Sequence, residues 1–114
     1  MGKPTISEDP LYQLLRNEKI SEFNDQIASG ADTSNLKSGD YRGRDLHNLN
    51  ANGLDFSDAY FRNSNLKGID FRNTNLEGAS IIDADISGCY FPDELSPEEI
   101  RMSHEVGTRL RYKK

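Results

Sequence analysis

The sequence has no tryptophan, one cysteine, two histidines and no long apolar run. A single cysteine excludes an intrachain disulfide and suits a reducing compartment. His47 and His104 are too few and too far apart in sequence to indicate a zinc site. No apolar run is long enough for a membrane-spanning helix, and no basic start followed by an apolar stretch indicates a signal peptide. We therefore expect a small cytoplasmic protein without a metal or other cofactor.

Charge of either sign is also modest. The formal net charge of −5 divides into −3 over residues 1–33, −3 over 34–93 and +1 over 94–114. Interspersed signs of this kind are typical of an ordinary solvated surface. We do not expect direct binding to nucleic acid or to a membrane.

The dominant feature is a five-residue repeat from Ser34 to Asp93. Its third position is apolar or aromatic in all twelve units, and its second position is Asn or Asp in nine. The central residues are Leu36, Tyr41, Leu46, Ala51, Phe56, Phe61, Leu66, Phe71, Leu76, Ile81, Ile86 and Phe91. A helical stripe needs a period of about 3.6 residues and a strand face needs about 2. A period of five predicts a chain that turns once in every unit and sends one side chain inward.

Units such as SNLKG, TNLEG and ADISG resemble the pentapeptide-repeat proteins. The resemblance implies a right-handed, four-sided β-helix in which four units complete one coil. The units that begin at Ser34, Gly39, Arg44 and Leu49 then start faces one to four. Three coils, 34–53, 54–73 and 74–93, stack to a height of about 15 Å.

The first residue of each unit is also expected to face inward. Cys89 at such a position is interpreted as a small buried hydrophobe. Arg44 does not fit, because a buried unpaired guanidinium is costly. We expect Arg44 to reach solvent or to pair with an acid from the preceding segment.

The flanking segments predict three parts: 1–33, a polar segment and helical cap; 34–93, the β-helix; and 94–114, a C-terminal helix and basic tail. Residues 1–8 are expected to be frayed. Two helices are predicted over 10–16 and 19–29, with a break near Asn17 and an end at Gly30. They would cover the core and the strand edge of the first coil.

The C-terminal helix is predicted to begin at Ser96-Pro97 and to end at Gly107. Its modestly apolar face would seal the third coil; that face comprises Ile100, His104 and Gly107, with Met102 and Val106 alongside. The tail contains Arg109, Arg111, Lys113 and Lys114, and we interpret it as a solvated end, with a partner contact as the alternative.

Catalytic patterns are missing, since no nucleophile elbow, phosphate-binding glycine loop or dinucleotide motif occurs. The many aspartates recur because the second repeat position prefers side chains that hydrogen-bond turning backbone. We therefore expect no enzymatic activity. The sequence indicates a non-catalytic intracellular interaction module whose partner is another protein or a second copy of itself.

The alternative function comes from the resemblance alone: some longer pentapeptide-repeat proteins mimic duplex DNA and act on DNA gyrase. On the second face, Arg42, Arg62 and Ile82 form one outward column next to Tyr60. Tyr and Arg are enriched in interface hot spots, so these four residues are the predicted partner contact. The fourth face, which ends at Tyr90 and Pro92, is expected to lie near the C-terminal helix and to be covered by it.

Overall fold

A computed structural model describes residues 8–113 and contains three helices. They are α1 (Pro10–Arg16), α2 (Ile20–Ala28) and α3 (Pro97–Val106), which agrees with the predicted positions. No helix of residues 8–113 is long and apolar enough to cross a membrane. The expected fraying of residues 1–8 concerns positions that, except for Glu8, lie outside the described residues.

The helix ends follow the capping signals of the sequence. The Asp9 side chain accepts a hydrogen bond from Tyr12 N ahead of α1. Ser96 does the same for Glu99 N at α3, and Gly107 ends that helix at φ +82°. The break between α1 and α2 differs from the prediction, because Glu18 and not Asn17 takes the left-handed conformation, at φ +60°.

Residues 20 apart pair as isolated parallel bridges along the repeats. Asp40 pairs with Tyr60, and Tyr60 with Ser80. The same spacing recurs from Asp45 to Asn65 and from Asp70 to Tyr90. Between residues 8 and 113 the backbone pairs only at such single bridges, and it forms no extended β-strand. The predicted stacking of units 20 residues apart is therefore confirmed.

The second residue of most units fixes the turn. In eight units its side-chain oxygen accepts a hydrogen bond from the backbone N–H two residues later, at 2.9–3.3 Å. The fifth residue then commonly has a positive φ, as Asn63 and Gly68 do, which Gly, Asn and Asp tolerate best. This pairing of residue types explains why the chain turns every five residues.

The core lies inside the coils. Ten of the twelve central residues are buried, and Ile86 and Phe91 are partly exposed. At its centre Phe61 packs against Tyr41 and Phe56, with ring centroids 5.4 Å apart in both pairs. Nine first residues are buried as well. The large ones, such as Leu49 and Ile69, are among them, because a core accepts exchanges of size that conserve volume.

Three first-position residues are not buried: Ser34 is exposed, and Arg44 and Cys89 are partly buried. The Nε of Arg44 is buried without a hydrogen-bond partner among residues 8–113. The expected acidic partner is therefore absent among residues 8–113, and the expected exposure to solvent is only partial. Cys89 Sγ lies 2.9 Å from Leu66 O, and burial raises the pKa of the Cys89 thiol.

The N-terminal helices occupy the free edge of the first coil. Their buried residues are Leu11, Tyr12, Leu15 and Phe23. Tyr12 Oη accepts a hydrogen bond from Asp40 N at 3.1 Å, and Glu18 accepts one from Asp45 N at 2.7 Å. Side chains thus replace the backbone groups that a preceding coil would supply.

Asp40 gives this end of the molecule a predicted pH dependence. Hydrogen bonds from the Arg42 guanidinium, both 2.8 Å long, lower the pKa of Asp40 to about 2 from 3.8. Because the folded pKa is the lower one, this stabilisation is present above about pH 4 and is lost as the pH falls towards 2. Arg42 is 52% exposed, so we expect Asp40→Asn to cost only about 1 kcal/mol at pH 7.

The measurement is urea unfolding of both proteins between pH 7 and pH 2, where the variant should show a smaller loss of stability. Asp70→Asn is the matched control, since Asp70 and Arg72 form the same pair in solvent. Hydrogen bonds from Arg72 also lower the pKa of Asp70 to about 2. Equal effects of the two substitutions would therefore show that the burial of Asp40 and its second ion pair, with Arg16 at 3.2 Å, add no stability.

Candidate interaction surfaces

The second face presents two of the four predicted contact residues to solvent. Arg42 is held by its two hydrogen bonds to Asp40. Arg62 is exposed, and its guanidinium forms no ion pair or side-chain hydrogen bond with any residue in 8–113. Arg62 can therefore bind a partner without first breaking an ion pair or hydrogen bond within residues 8–113.

Tyr60 and Ile82 lie against the C-terminal tail. The Arg109 guanidinium lies 5.1 Å from the centroid of the Tyr60 ring, and its Nη2 donates to Tyr60 Oη at 2.8 Å. Ile82 packs so closely on Gly107 that a Cβ there would come within 3.0 Å of Ile82 Cδ1. The structure therefore brings the four predicted residues onto one face but covers two of them.

Arg109 is a member of this surface that the sequence interpretation missed. Its Nη1 also donates to Gly78 O at 2.8 Å, which fixes the side chain over the second face. The signal that could have placed it is an alternation of charged and apolar residues in Arg109, Leu110, Arg111 and Tyr112. A period of two is typical of a strand with one buried face.

The basic tail is not a solvated end, contrary to the prediction. Leu110 is fully buried and exchanges two backbone hydrogen bonds with the third coil, from Gly78 N at 2.7 Å and to Ala79 O at 2.8 Å. Tyr112 Oη accepts from Leu76 N at 2.9 Å and donates to Thr74 O at 3.2 Å. The tail therefore closes the first two faces of the third coil.

α3 packs on the third coil through a more polar set of residues than predicted. Ser103 is fully buried, and its Oγ accepts from Ile81 N at 3.3 Å. His104 O accepts from Asp83 N at 3.1 Å. Met102 and Val106, predicted to seal the coil, are 43% and 67% exposed. The prediction that Met102 and Val106 seal the third coil was therefore wrong. The face of α3 that packs on the coil instead supplies hydrogen-bond acceptors to free backbone N–H groups.

The fourth face is open at Tyr90. This side chain is 57% exposed, and the Arg72 guanidinium lies 4.5 Å from its ring centroid. Pro92 is buried. The expected cover by α3 is therefore absent at Tyr90.

Residues 55–91 match the family model of the pentapeptide repeats, in eight copies. The chain contains pentapeptide repeats. The matched segment spans the second coil and most of the third, and it includes three of the predicted contact residues, Tyr60, Arg62 and Ile82. No curated protein and no solved structure matches the chain.

The clefts around the pentapeptide repeats are open to solvent. One of about 550 Å³ lies between α2 and the third face and is lined by Glu18, Asp25, Asp45 and His47 among others. His47 Nδ1 lies 2.6 Å from Asp45 Oδ1, and this hydrogen bond lowers the pKa of Asp45. Within residues 8–113 no group of three or more His, Cys, Asp or Glu could hold a metal ion.

Tyr112→Phe tests the closure of the pentapeptide repeats by the tail. The substitution keeps the ring but removes the hydroxyl, which leaves Leu76 N without its acceptor. We expect a loss of about 1–3 kcal/mol of unfolding free energy, measured by urea denaturation. Tyr90→Phe is the control, since the hydroxyl of Tyr90 has no protein partner among residues 8–113 and its loss should leave the stability unchanged. A Tyr112→Phe variant as stable as the control would show that the tail does not close this edge.

Proposed function

We propose that the chain is a non-catalytic, cytoplasmic protein-interaction module and that its second face is the contact surface. The observation that supports this most is the unpaired, exposed guanidinium of Arg62, which lies one coil from Arg42 on the same face. Arg and Tyr contribute disproportionately to interface energy because they combine planar contact area with polar groups. A partner protein that presents carboxylates matches this surface.

The scaffold of the module is proposed to be a right-handed, four-sided β-helix. Parallel bridges between residues 20 apart and turns every five residues support four units in each coil. Such a scaffold holds outward side chains in straight columns, which places Arg42 and Arg62 one above the other. A rigid column of this kind loses little conformational entropy on binding.

The alternative proposal, a mimic of DNA that binds DNA gyrase, has less support. A mimic needs rows of free negative charge where phosphates would lie. The second face carries arginines instead, and Asp40 and Asp70 are engaged by Arg42 and Arg72. A supercoiling assay with DNA gyrase separates the two proposals, since an interaction module of the first kind leaves the reaction rate unchanged.

Arg62→Glu is the variant that tests the contact surface. The protein and the variant are immobilised, partners are captured from the source cell and identified by mass spectrometry, and binding is then measured with the purified partner. We expect the variant to bind at least about tenfold more weakly with an unchanged melting temperature. Lys37→Glu, an equal charge change on the exposed first face, should bind normally. Full binding by Arg62→Glu would reject the second face as the contact surface.

A further inference from the structure

The C-terminal edge of the repeats is closed on two faces only. Between successive coils, the central residue of a unit donates its N–H to the following coil, as Leu66 N does to Asp85 O at 2.9 Å. No fourth coil follows residue 93, so the third coil needs substitutes. On the first two faces they are present, since Tyr112 Oη accepts from Leu76 N and Ser103 Oγ accepts from Ile81 N.

On the third face His104 Nε2 lies 2.8 Å from Ala84 O, but no such substitute among the described residues follows from Ile86 to Phe91. The N–H groups of Ile86, Gly88 and Phe91 and the carbonyl of Cys89 have no hydrogen-bond partner among residues 8–113. Their counterparts one coil below are all paired, at 2.8–3.1 Å. None of these four residues is fully buried: Gly88 is exposed, and Ile86, Cys89 and Phe91 are partly exposed. Residues 86–91 are called the open edge below.

Side chains at the open edge are apolar and partly exposed. Ile86 and Phe91 are the two central residues that the core does not bury, and Tyr90 beside them is largely exposed. A strand edge with unpaired backbone groups and exposed apolar side chains is the surface to which another extended chain adds most readily.

The charges around the open edge indicate what kind of polypeptide segment would bind there. From Ala84 to Val106 there are six carboxylates and one arginine, and two of these carboxylates, Asp85 and Glu99, pair with Lys67 and Arg111. Asp93 and Glu94 line an open cleft of about 510 Å³ on the fourth face together with Asp70 and Arg72. Neither Asp93 nor Glu94 forms an ion pair within residues 8–113. The unbalanced acids favour a basic occupant.

We infer that the open edge binds an extended, basic segment of a partner protein, which adds a fourth row of backbone over the third and fourth faces. This inference rests on the proposed function as an interaction module but uses a different surface from the second face. The bound segment should follow the repeat pattern, with small residues first, apolar residues third and Lys or Arg at the outward positions. Its backbone would pair with Ile86 N, Cys89 O and Phe91 N.

The probe is the synthetic peptide AKLKGAKLKN, acetylated and amidated, which carries two such units. Cys89 reports binding because it is the only cysteine and lies at the open edge. We expect saturating peptide to slow the alkylation of Cys89 by N-ethylmaleimide, and fluorescence anisotropy of a labelled peptide to give the dissociation constant. N-methylation of the second residue of the second unit removes the donor to Cys89 O, so binding should weaken about tenfold.

Two matched sets of controls decide the result. N-methylation of the adjacent leucine, whose N–H points away from the third coil, should weaken binding much less. The double variant Asp93→Lys, Glu94→Lys should weaken binding about tenfold, whereas Glu22→Lys, Asp25→Lys, the same charge change on α2, should not. Equal binding of AKLKGAKLKN and its glutamate counterpart AELEGAELEN, or equal effects of the two N-methylations, would overturn the inference.

A second copy of the chain could instead occupy the open edge. Sedimentation that shows a dimer in which Cys89 is protected without peptide would overturn the inference in favour of self-association. The inference and the proposed function fail separately: Arg62→Glu should bind the peptide normally. No binding of AKLKGAKLKN to a protein that still captures its partner through Arg62 would reject the open edge alone.

Discussion

Phe61→Ala is expected to lower the free energy of unfolding by about 3–5 kcal/mol. This loss is a large fraction of the total stability of a domain of this size. Phe61 is fully buried, and its ring contacts Tyr41 and Phe56 at 5.4 Å and Phe71 at 6.5 Å between centroids. Truncation leaves a cavity that the stacked coils cannot close, because their spacing is fixed by hydrogen bonds above and below.

Arg62→Ala is the matched control, one residue further along the chain and exposed. Its effect should be below about 0.5 kcal/mol, measured by the same urea or thermal unfolding. The pair of substitutions tests the register of the repeat directly, since a shift by one residue exchanges the inward and outward positions. Greater damage from Arg62→Ala than from Phe61→Ala would show that the register is wrong.

The repeats could be predicted from the sequence because each unit contains the residues that determine its own conformation. The central apolar residue, the Asn or Asp before it and the turn residue after it all lie within five positions. Phe61 and Leu66 were placed in the core for this reason, and both are buried. The three helices were predicted in the same way from local signals, such as the end at Gly30 for the second helix and Ser96 and Gly107 for α3.

The candidate site was less predictable, because it depends on what the ends of the chain do in space. Arg109 and Leu110 stand in a segment with four cations, and composition alone indicates solvent. The alternation of charged and apolar residues indicates a strand with one buried face, but where that strand lies follows from the free backbone groups of the third coil.

Tyr60 shows how this affects function. Its column was predicted correctly, because a period of 20 follows from the repeat. The exposure of Tyr60 to a partner was not predicted correctly, because Arg109, 49 residues further along the chain, packs on its ring and hydrogen-bonds its hydroxyl. The contact surface therefore joins a part that is encoded in the repeats, Arg42 and Arg62, to a part that only the folded C-terminal tail supplies.

Leu110→Ala carries the second large expected effect and tests whether the tail belongs to the folded unit. Leu110 is fully buried, and its N–H and C=O pair with Ala79 and Gly78. The cavity should cost about 2–5 kcal/mol. Because Arg109 and Tyr112 are held on either side of Leu110, loosening the tail should also free Tyr60 and expose Leu76 N.

Met102→Ala is the matched control, a large apolar side chain on the neighbouring α3 that is 43% exposed. We expect it to change stability by less than about 0.5 kcal/mol. Both variants are measured by urea unfolding, with hydrogen exchange at Leu76 and Gly78, whose N–H groups donate to the tail, as a local readout. Faster exchange at these two amides in Leu110→Ala alone would show that the tail protects the edge of the third coil. Equal stability and equal exchange in the two variants would mean that the repeats fold without the tail.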